Sequence, residues 1–587
     1  MLIDSLTFAL EKSGCLDAFW GKLDAGEDAT LGVAASARPF LVAARFAHRP
    51  QPTLVVVAGE DAAVAFARNV AAYVGDERVL RFPERTDHPF APKPADPRQV
   101  ARRMEAAHAL QAGRPCVVVA SARALSRCLL PAAEHVADPL VFRAGEELAE
   151  AGNPGVEEMG DVARALEARG YANTGELDGP GTFAVRGGTI DVFPGNLVYP
   201  VRLDFFGDEV DEIRRIVPST GQTIQALGEV AIYPVSELPV TEAVLRRARR
   251  ALETPALTNP ALRAILENLE GGLRFDGVDA VLPYLTKRTV TLGDYAAPGT
   301  LTVLVEPRSL FDDAAHAYEE LAARAKGTGI ALAGLYAEPT ALDFGDELRA
   351  TYVSIMRVGG AIDDELPVKR ADVAGAPDKL FGRLTSLVQA DYTVVFSVPN
   401  YRAREDMKLA LVDRGLPIQE RLDLALGEAG SDGDVAAGVP GAEEAEAVGR
   451  TGAPARRVLD APERRVGDEG LGAGEAGAHG GAVARRRLRR GVVNIVDVDV
   501  PLGMIIPKAR LALIALSDTQ GAQTAARERR AVDITEITFP YKPGDYVVHA
   551  AHGVALFKDL VRREVDGTER DYLLLEYAED DKLFVPV

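Results

Sequence analysis

A chain of 587 residues with 47% apolar side chains has room for roughly three to five domains with cores of their own. Its net charge of −21 argues against a broad DNA-gripping surface, and Cys15, Cys116 and Cys128 have neither the number nor the spacing of a disulfide framework or a zinc site. No apolar run reaches the ~20 residues of a membrane span, and the opening MLIDSLTFALEKSGCLDAFW carries Asp4 where a signal peptide needs a basic start, so a cytoplasmic chain with no membrane partner is expected.

Residues 1–131 read as an α/β domain. TLVVVAG (53–59) is a nearly continuous apolar run, as in a strand covered on both faces. Asp61 is placed to cap the helical stretch that follows. RVLRF (78–82) and PCVVVAS (115–121) are further strands, and between them PRQVARRMEAAHALQAG has helical periodicity and stops at Gly113. Strands alternating with helices imply a mostly parallel sheet. Ahead of the first of these strands, Gly32-Val33-Ala34-Ala35-Ser36-Ala37-Arg38-Pro39 has the spacing of a phosphate-binding G-x-x-x-x-G-K-[ST] loop and the wrong chemistry at three positions. Ala37 adds a Cβ where the loop must curl, Arg38 has a different shape from lysine, and Pro39 removes both a hydroxyl and an N–H.

Residues 132–218 read as a small α+β module: a helix, DVARALEARG, then GTFAVRGGTIDVFP, YPVRLDFFG and DEVDEIRRIV, with Gly187-Gly188 as a hairpin turn. Residues 219–350 combine the strand EVAIYP with long helical runs. Residues 365–520 form a third α/β unit (KLFGRLTSLVQ, YTVVFSV, YRAREDMKLALVDRG, then VVNIVDVDV and beyond), interrupted at 425–490 by a stretch rich in Ala, Gly, Arg and Glu. That stretch lacks the large apolar side chains a core requires. It reads as a disordered insert or as a frameshifted stretch of a GC-rich gene. Residues 521–533 look like a linker, and 534–587 are strongly β with tight turns, as in a small SH3- or Tudor-like barrel.

No catalytic constellation stands out. His549 and His552 have a metal-ligand spacing but no third ligand, and Asp208, Glu209, Asp211 and Glu212 beside Arg214 and Arg215 read as a hairpin surface. Two features suit binding. Arg186, flanked in sequence by Phe183 and Phe193, is either an interface hot spot or a solvated strand residue over two core phenylalanines. The strand LVRREV (560–565), charged on both faces, is an edge that either adds a partner's strand or guards against aggregation.

Taken together, these segments resemble a known family. GTFAVRGGTIDVFPGNLVYPVRLDFFGDEVDEIRRIVPSTGQT is similar to the segment shared by the excision-repair protein UvrB and bacterial transcription-repair coupling factors. KPGDYVVHAAHGVALFKDLVRREVDGTERDYLLLEYAEDDKLFVPV resembles the polymerase-interacting module that those factors share with CarD-type regulators. The resemblance implies a degenerate RecA/UvrB-like α/β domain, its loop Gly32, Ala37, Arg38, Pro39 no longer functional, with the 132–218 module inserted to dock UvrA. Arg186 falls on a family contact position, with Phe183 and Phe193 beside it; two further family arginines correspond to Ala184 and a position near Asn173. It also implies that the C-terminal barrel binds the β subunit of RNA polymerase, with Arg563 on a contact position and Leu560 and Arg562 adjoining. The family's ATP, magnesium and DNA chemistry belongs to motor domains that are expected to lie beyond Val587, so no cofactor is expected in these residues. The alternatives are a UvrB-like ATP-dependent helicase component and a CarD-like transcription regulator.

Overall fold

The computed structural model describes residues 2–90, 93–218, 220–239, 241–270, 277–342, 344, 348–354, 362–371, 373, 377–420, 488–496, 498, 500, 503–519, 546–549, 553–565, 568–576 and 582–586. Three larger sheets and one smaller C-terminal sheet organise them, together with a two-stranded pair.

The first sheet is seven-stranded, in the order Asp364–Leu366, Ala29–Val33, Leu348–Val353, Leu301–Val305, Thr53–Val57, Val117–Ser121, Val79–Phe82, and every described pairing in it is parallel. The adjacent strands Leu301–Val305, Thr53–Val57 and Val117–Ser121 are buried along their whole length. Alternation explains how: Val55 and Val57 enter one apolar core with Phe40 and Val119, while Leu54 and Val56 enter another with Met104 and Val118. The helix expected after the Thr53–Val57 strand spans Glu60–Val74, and its N-cap is Gly59, at φ +76°, rather than Asp61. The Gly59 amide donates instead to the Asp313 carboxylate at 3.1 Å, so a distant carboxylate does the capping expected of a local one.

The chain leaves this sheet after Val117–Ser121 and returns at Leu301–Val305, two strands away in the same sheet. In between lies a largely antiparallel sheet in the order Thr223–Leu227, Glu209–Ile216, Val201–Phe206, Thr189–Phe193, Thr182–Arg186, Ala172–Asn173. This unit runs past residue 218: Glu229–Ile232 pairs antiparallel with Leu140–Arg143. Ile190, Val192, Leu203 and Ile213 pack into the same core as Leu54 and Met104 of the first sheet. Helices Glu242–Leu252 and Pro260–Glu270 follow with their own core around Leu252, Leu262 and Tyr336. Arg246, Arg247 and Arg250 of the arginine run are exposed, as a solvated helix face.

In the third sheet Thr393–Ser397, Val493–Val496, Ile418–Glu420 and Leu511–Ala515 run parallel, with Met504–Ile506 and Lys369–Arg370 antiparallel at one side. The Ile418–Glu420 and Val493–Val496 strands are neighbours, so the sheet is continuous across the compositionally odd insertion; 421–487 lie outside the described residues, as does the expected linker at 521–533. The last sheet is an antiparallel meander of Tyr546–His549, Gly553–Val565, Thr568–Glu576 and Lys582–Pro586. His552 and the Asp566-Gly567 turn lie outside the described residues. Among the described residues no helix is long and apolar enough to cross a membrane.

Candidate docking surface and the turn at Gly32

Gly32 is next to last in the strand Ala29–Val33, Ala35–Ala37 forms a 3-10 turn, and Arg38–His48 is a helix with Pro39 in its first turn. The strand–turn–helix order of a phosphate loop is kept, but its chemistry is inverted. Arg38 is buried, and its Nη2 donates to the Val33 carbonyl at 3.3 Å, the Glu306 carboxylate at 2.5 Å and the Ser354 hydroxyl at 3.2 Å. Its cation is spent on internal partners. Ala37 is fully buried, and Pro39 offers no N–H where the first helical turn would face an anion. These residues do not fit a nucleotide triphosphate with magnesium.

The hairpin strands Thr182–Arg186 and Thr189–Phe193 present a different kind of site. Gly187, at φ +60°, makes the tight turn. Arg186 is exposed, and its Nη2 donates a hydrogen bond to the Gly175 carbonyl at 3.1 Å. Beside it the polar face is already paired. Asp191 accepts two hydrogen bonds from Arg202 at 2.6 and 2.8 Å, which holds the Arg202 guanidinium above its ordinary range. Asp204 accepts two from Arg214 at 3.0 and 2.6 Å. Arg186 is thus a cation without a carboxylate partner in the described contacts, at the end of a charge-balanced ladder.

Phe183 is 0% and Phe193 7% exposed, so neither faces a partner; both are core residues, unlike the sequence-based placing of them at the contact surface. Phe183 stands three residues from Arg186, which on a strand puts the two on opposite faces. Ala184 is fully buried and Asn173 exposed, the latter on the neighbouring strand opposite Phe183. Val185 is exposed too, but the same alternation turns it to the face opposite Arg186; the exposed apolar group at this hairpin end, which the sequence did not single out, is Phe206 at 80% exposure. Phe205 donates its amide to the Gly188 carbonyl at 2.9 Å, which fixes Phe206 at the hairpin end of the sheet. An exposed Arg beside an exposed aromatic has the composition of an interface hot spot. The acidic cluster behaves as a surface turn, with Asp208 accepting from the Met159 amide at 3.3 Å.

Leu560, Arg562 and Arg563 sit on the Gly553–Val565 strand opposite Leu573, Asp571 and Arg570; their side chains lie outside the described set. Residues 557–565 have a ladder partner on one side only among the described residues, as an edge does.

Sequence reading missed a buried charge cluster. Arg85, Arg103 and Arg127 converge on Glu237, at 2.8, 2.5 and 3.5 Å, and Asp87 and Asp279 pair with the first and third. Burial alone pushes the Glu237 carboxyl up, but the three guanidiniums outweigh it and bring it down to about 2. Burial likewise works against the Arg85 cation, and Asp279, Glu237 and Asp87 together hold it well above its ordinary range. The visible trace was Arg85 and Asp87 inside RFPERTDHPF, two opposite charges in an apolar setting.

Residues 156–238 match the UvrB interaction domain, and residues 541–587 match the CarD-like/TRCF RID domain. The first match covers the hairpin of Arg186 and extends to Glu237 and Leu238, in keeping with a sheet that continues past residue 218. Along nearly its whole length the chain is similar to proteins named transcription-repair-coupling factor: 27% identical to that of Myxococcus xanthus over 95% of this chain, 28% to that of Mycobacterium bovis over 96%, and 23% to that of Escherichia coli over 96%. The resemblance read from the residues is therefore borne out. The chain spans about 44% of the length of the Myxococcus xanthus and Escherichia coli relatives and 43% of the Mycobacterium bovis one.

Proposed function

We propose that this polypeptide is the docking portion of a transcription-repair coupling factor, joining stalled RNA polymerase to nucleotide excision repair in the cytoplasm by binding the polymerase β subunit and recruiting UvrA. On this reading residues 1–131 and 219–350 form the parent α/β domain, 132–218 with the strand to Ile232 the UvrA-docking module, 365–520 a third domain, and 534–587 an SH3/Tudor-like barrel that grips the polymerase. The observation that carries it is Arg186: an exposed guanidinium at the hairpin end where Phe206 is also exposed, on a sheet face where Arg202 and Arg214 are already paired with carboxylates. UvrA meets Arg186 there and Asn173 on the adjoining strand. No nucleotide step is assigned to the Gly32–Pro39 turn, because Arg38 is committed to Glu306.

The test is capture of purified UvrA by the whole chain. Arg186→Ala should weaken binding roughly 30-fold, the loss of about 2 kcal/mol typical of a hot-spot arginine, while leaving thermal stability unchanged because Arg186 is exposed. Capture that is indifferent to Arg186→Ala would remove this surface from the proposal. For the polymerase arm, Arg563→Glu should abolish a two-hybrid signal with the β subunit; an undiminished signal excludes Arg563 from that contact.

A further inference from the structure

Beyond the carboxyl ends of the neighbouring parallel strands Val79–Phe82 and Val117–Ser121 lies a cavity of about 90 Å³, room for about six waters at the ~15 Å³ each requires. The carboxyl edge of a parallel sheet is where α/β folds hold ligands. Five guanidiniums line this one, those of Arg85, Arg103, Arg123, Arg127 and Arg324, against the carboxylates of Glu84 and Glu320. The other acids of the neighbourhood, Asp87, Glu237, Asp279 and Asp313, pair with these arginines without lining the cavity.

Two groups there have unused donors. Arg103 is fully buried: its Nε is bonded to Glu237 and its Nη1 to the Pro83 and Ala124 carbonyls, while its Nη2 has no partner. A buried N–H left unmade costs about 1–3 kcal/mol, so such a donor is a standing demand for an acceptor. Arg324, at the exposed rim, meets no carboxylate in the described contacts; its Nη1 lies 3.2 Å from His88 Nε2, and His88 Nδ1 lies 3.4 Å from the Tyr336 hydroxyl. Burial, and then Arg324 and Arg127, keep His88 below its ordinary range, so the ring stays neutral and accepts from Arg324. Glu84 is pushed up by burial, which weakens the main local opposition to an anion.

We propose that this cavity binds a tetrahedral oxyanion of the phosphate class, free or esterified, held by Arg103 and Arg324. Guanidinium forks match such oxygens in geometry as well as charge. The site is separate from the Arg186 hairpin and from the Gly32 turn, and it makes occupancy a lock on the junction between the segments that follow the parallel strands Val79–Phe82 and Val117–Ser121, the helix Pro97–Gln111 and the helix Pro307–Ala325, each of which contributes lining residues.

The test is thermal unfolding of the whole chain titrated with inorganic phosphate, with sodium chloride adjusted to constant ionic strength. A saturable rise in Tm is expected. Because Arg103→Met removes a buried ion-pair partner and is apt to prevent folding, the variants are placed at the rim. Arg324→Ala should weaken phosphate about tenfold, and Glu84→Gln, by removing a repelling carboxylate, should tighten it. A short single-stranded oligonucleotide distinguishes the sources: competition with phosphate assigns the site to a phosphodiester, and lack of competition to the free ion. A Tm that does not saturate with phosphate, or that responds identically in wild type, Arg324→Ala and Glu84→Gln, overturns the assignment.

Discussion

Replacing Glu237 with glutamine tests the buried charge cluster directly. The substitution keeps the shape and one acceptor oxygen, exchanges the other for an NH2 group, and removes the charge that Arg85, Arg103 and Arg127 share at 2.8, 2.5 and 3.5 Å. Arg85 and Arg127 retain Asp87 and Asp279, but Glu237 is the one carboxylate that Arg103 meets in the described contacts. Arg103 is then a fully buried, uncompensated cation, and removing one member of a buried ion pair costs about 3–5 kcal/mol. With a urea slope of about 2–3 kcal/mol per molar, the midpoint should fall by about 1–2 M. The single tryptophan, Trp20, stacks on His48 at 5.1 Å in the same α/β domain and gives the fluorescence readout. The pH dependence has a definite sign. The Glu237 carboxyl titrates near 2 in the folded chain and near its ordinary 4.5 when unfolded, so its contribution is complete above the ordinary value and is lost as pH falls toward the folded one. Glu237→Gln should therefore lose stability at neutral pH and show a flatter acid limb than wild type. A midpoint shift below about 0.3 M at pH 7 would refute the view that this carboxylate holds the three arginines in place.

Other outcomes follow from the same geometry. Arg38→Ala breaks the 2.5 Å pair with Glu306 inside the sheet edge and should cost about 3 kcal/mol in the same urea titration, whereas Arg38→Lys should gain no binding of a fluorescent ATP analogue, because Ala37 and Pro39 remain. Gly195→Ala would place a Cβ 2.3 Å from the Pro97 carbonyl oxygen and 2.7 Å from Ala101 Cβ, where the inserted sheet meets the helix Pro97–Gln111. It should destabilise by about 1–3 kcal/mol, seen as a lower Tm, since backbone on one side leaves the methyl little space.

The elements that sequence reading recovered are those whose signal is local. Thr53–Val57, Val117–Ser121 and Thr393–Ser397 announce themselves as short apolar runs because both of their faces are covered. Gly187-Gly188 and Gly113 mark a turn and a helix end through backbone freedom alone. What stayed hidden depends on contacts distant in sequence. Asp313 caps the helix at Gly59 from 254 residues away, and Glu237 reaches Arg103 across 134; no window of the chain shows both partners. The strand Glu229–Ile232 was readable as a strand, but its place beside Leu140–Arg143 was not. The placing of Phe183 was a different kind of miss: the two-residue period already put it on the face opposite Arg186.

That last point bears on why the proposal places docking on an arginine and not on the phenylalanines around it. The inner face of the inserted sheet shares one core with the parallel sheet, Phe183, Ile190 and Leu203 packing in the same cluster as Leu54 and Met104. A substitution on that face unsettles both sheets and reports on stability before it reports on docking. The outer face carries its charges in pairs, Asp191 with Arg202 and Asp204 with Arg214, so the sheet holds its shape without help from a partner protein. Arg186 stands outside both arrangements, held by one carbonyl of the preceding loop. Binding there exchanges one exposed backbone contact for a charged one on the partner, with no buried bond to break first. A sheet satisfied on both faces except at one hairpin end is therefore rigid where it folds and available where it docks, and the two properties separate under Arg186→Ala but not under any change to Phe183.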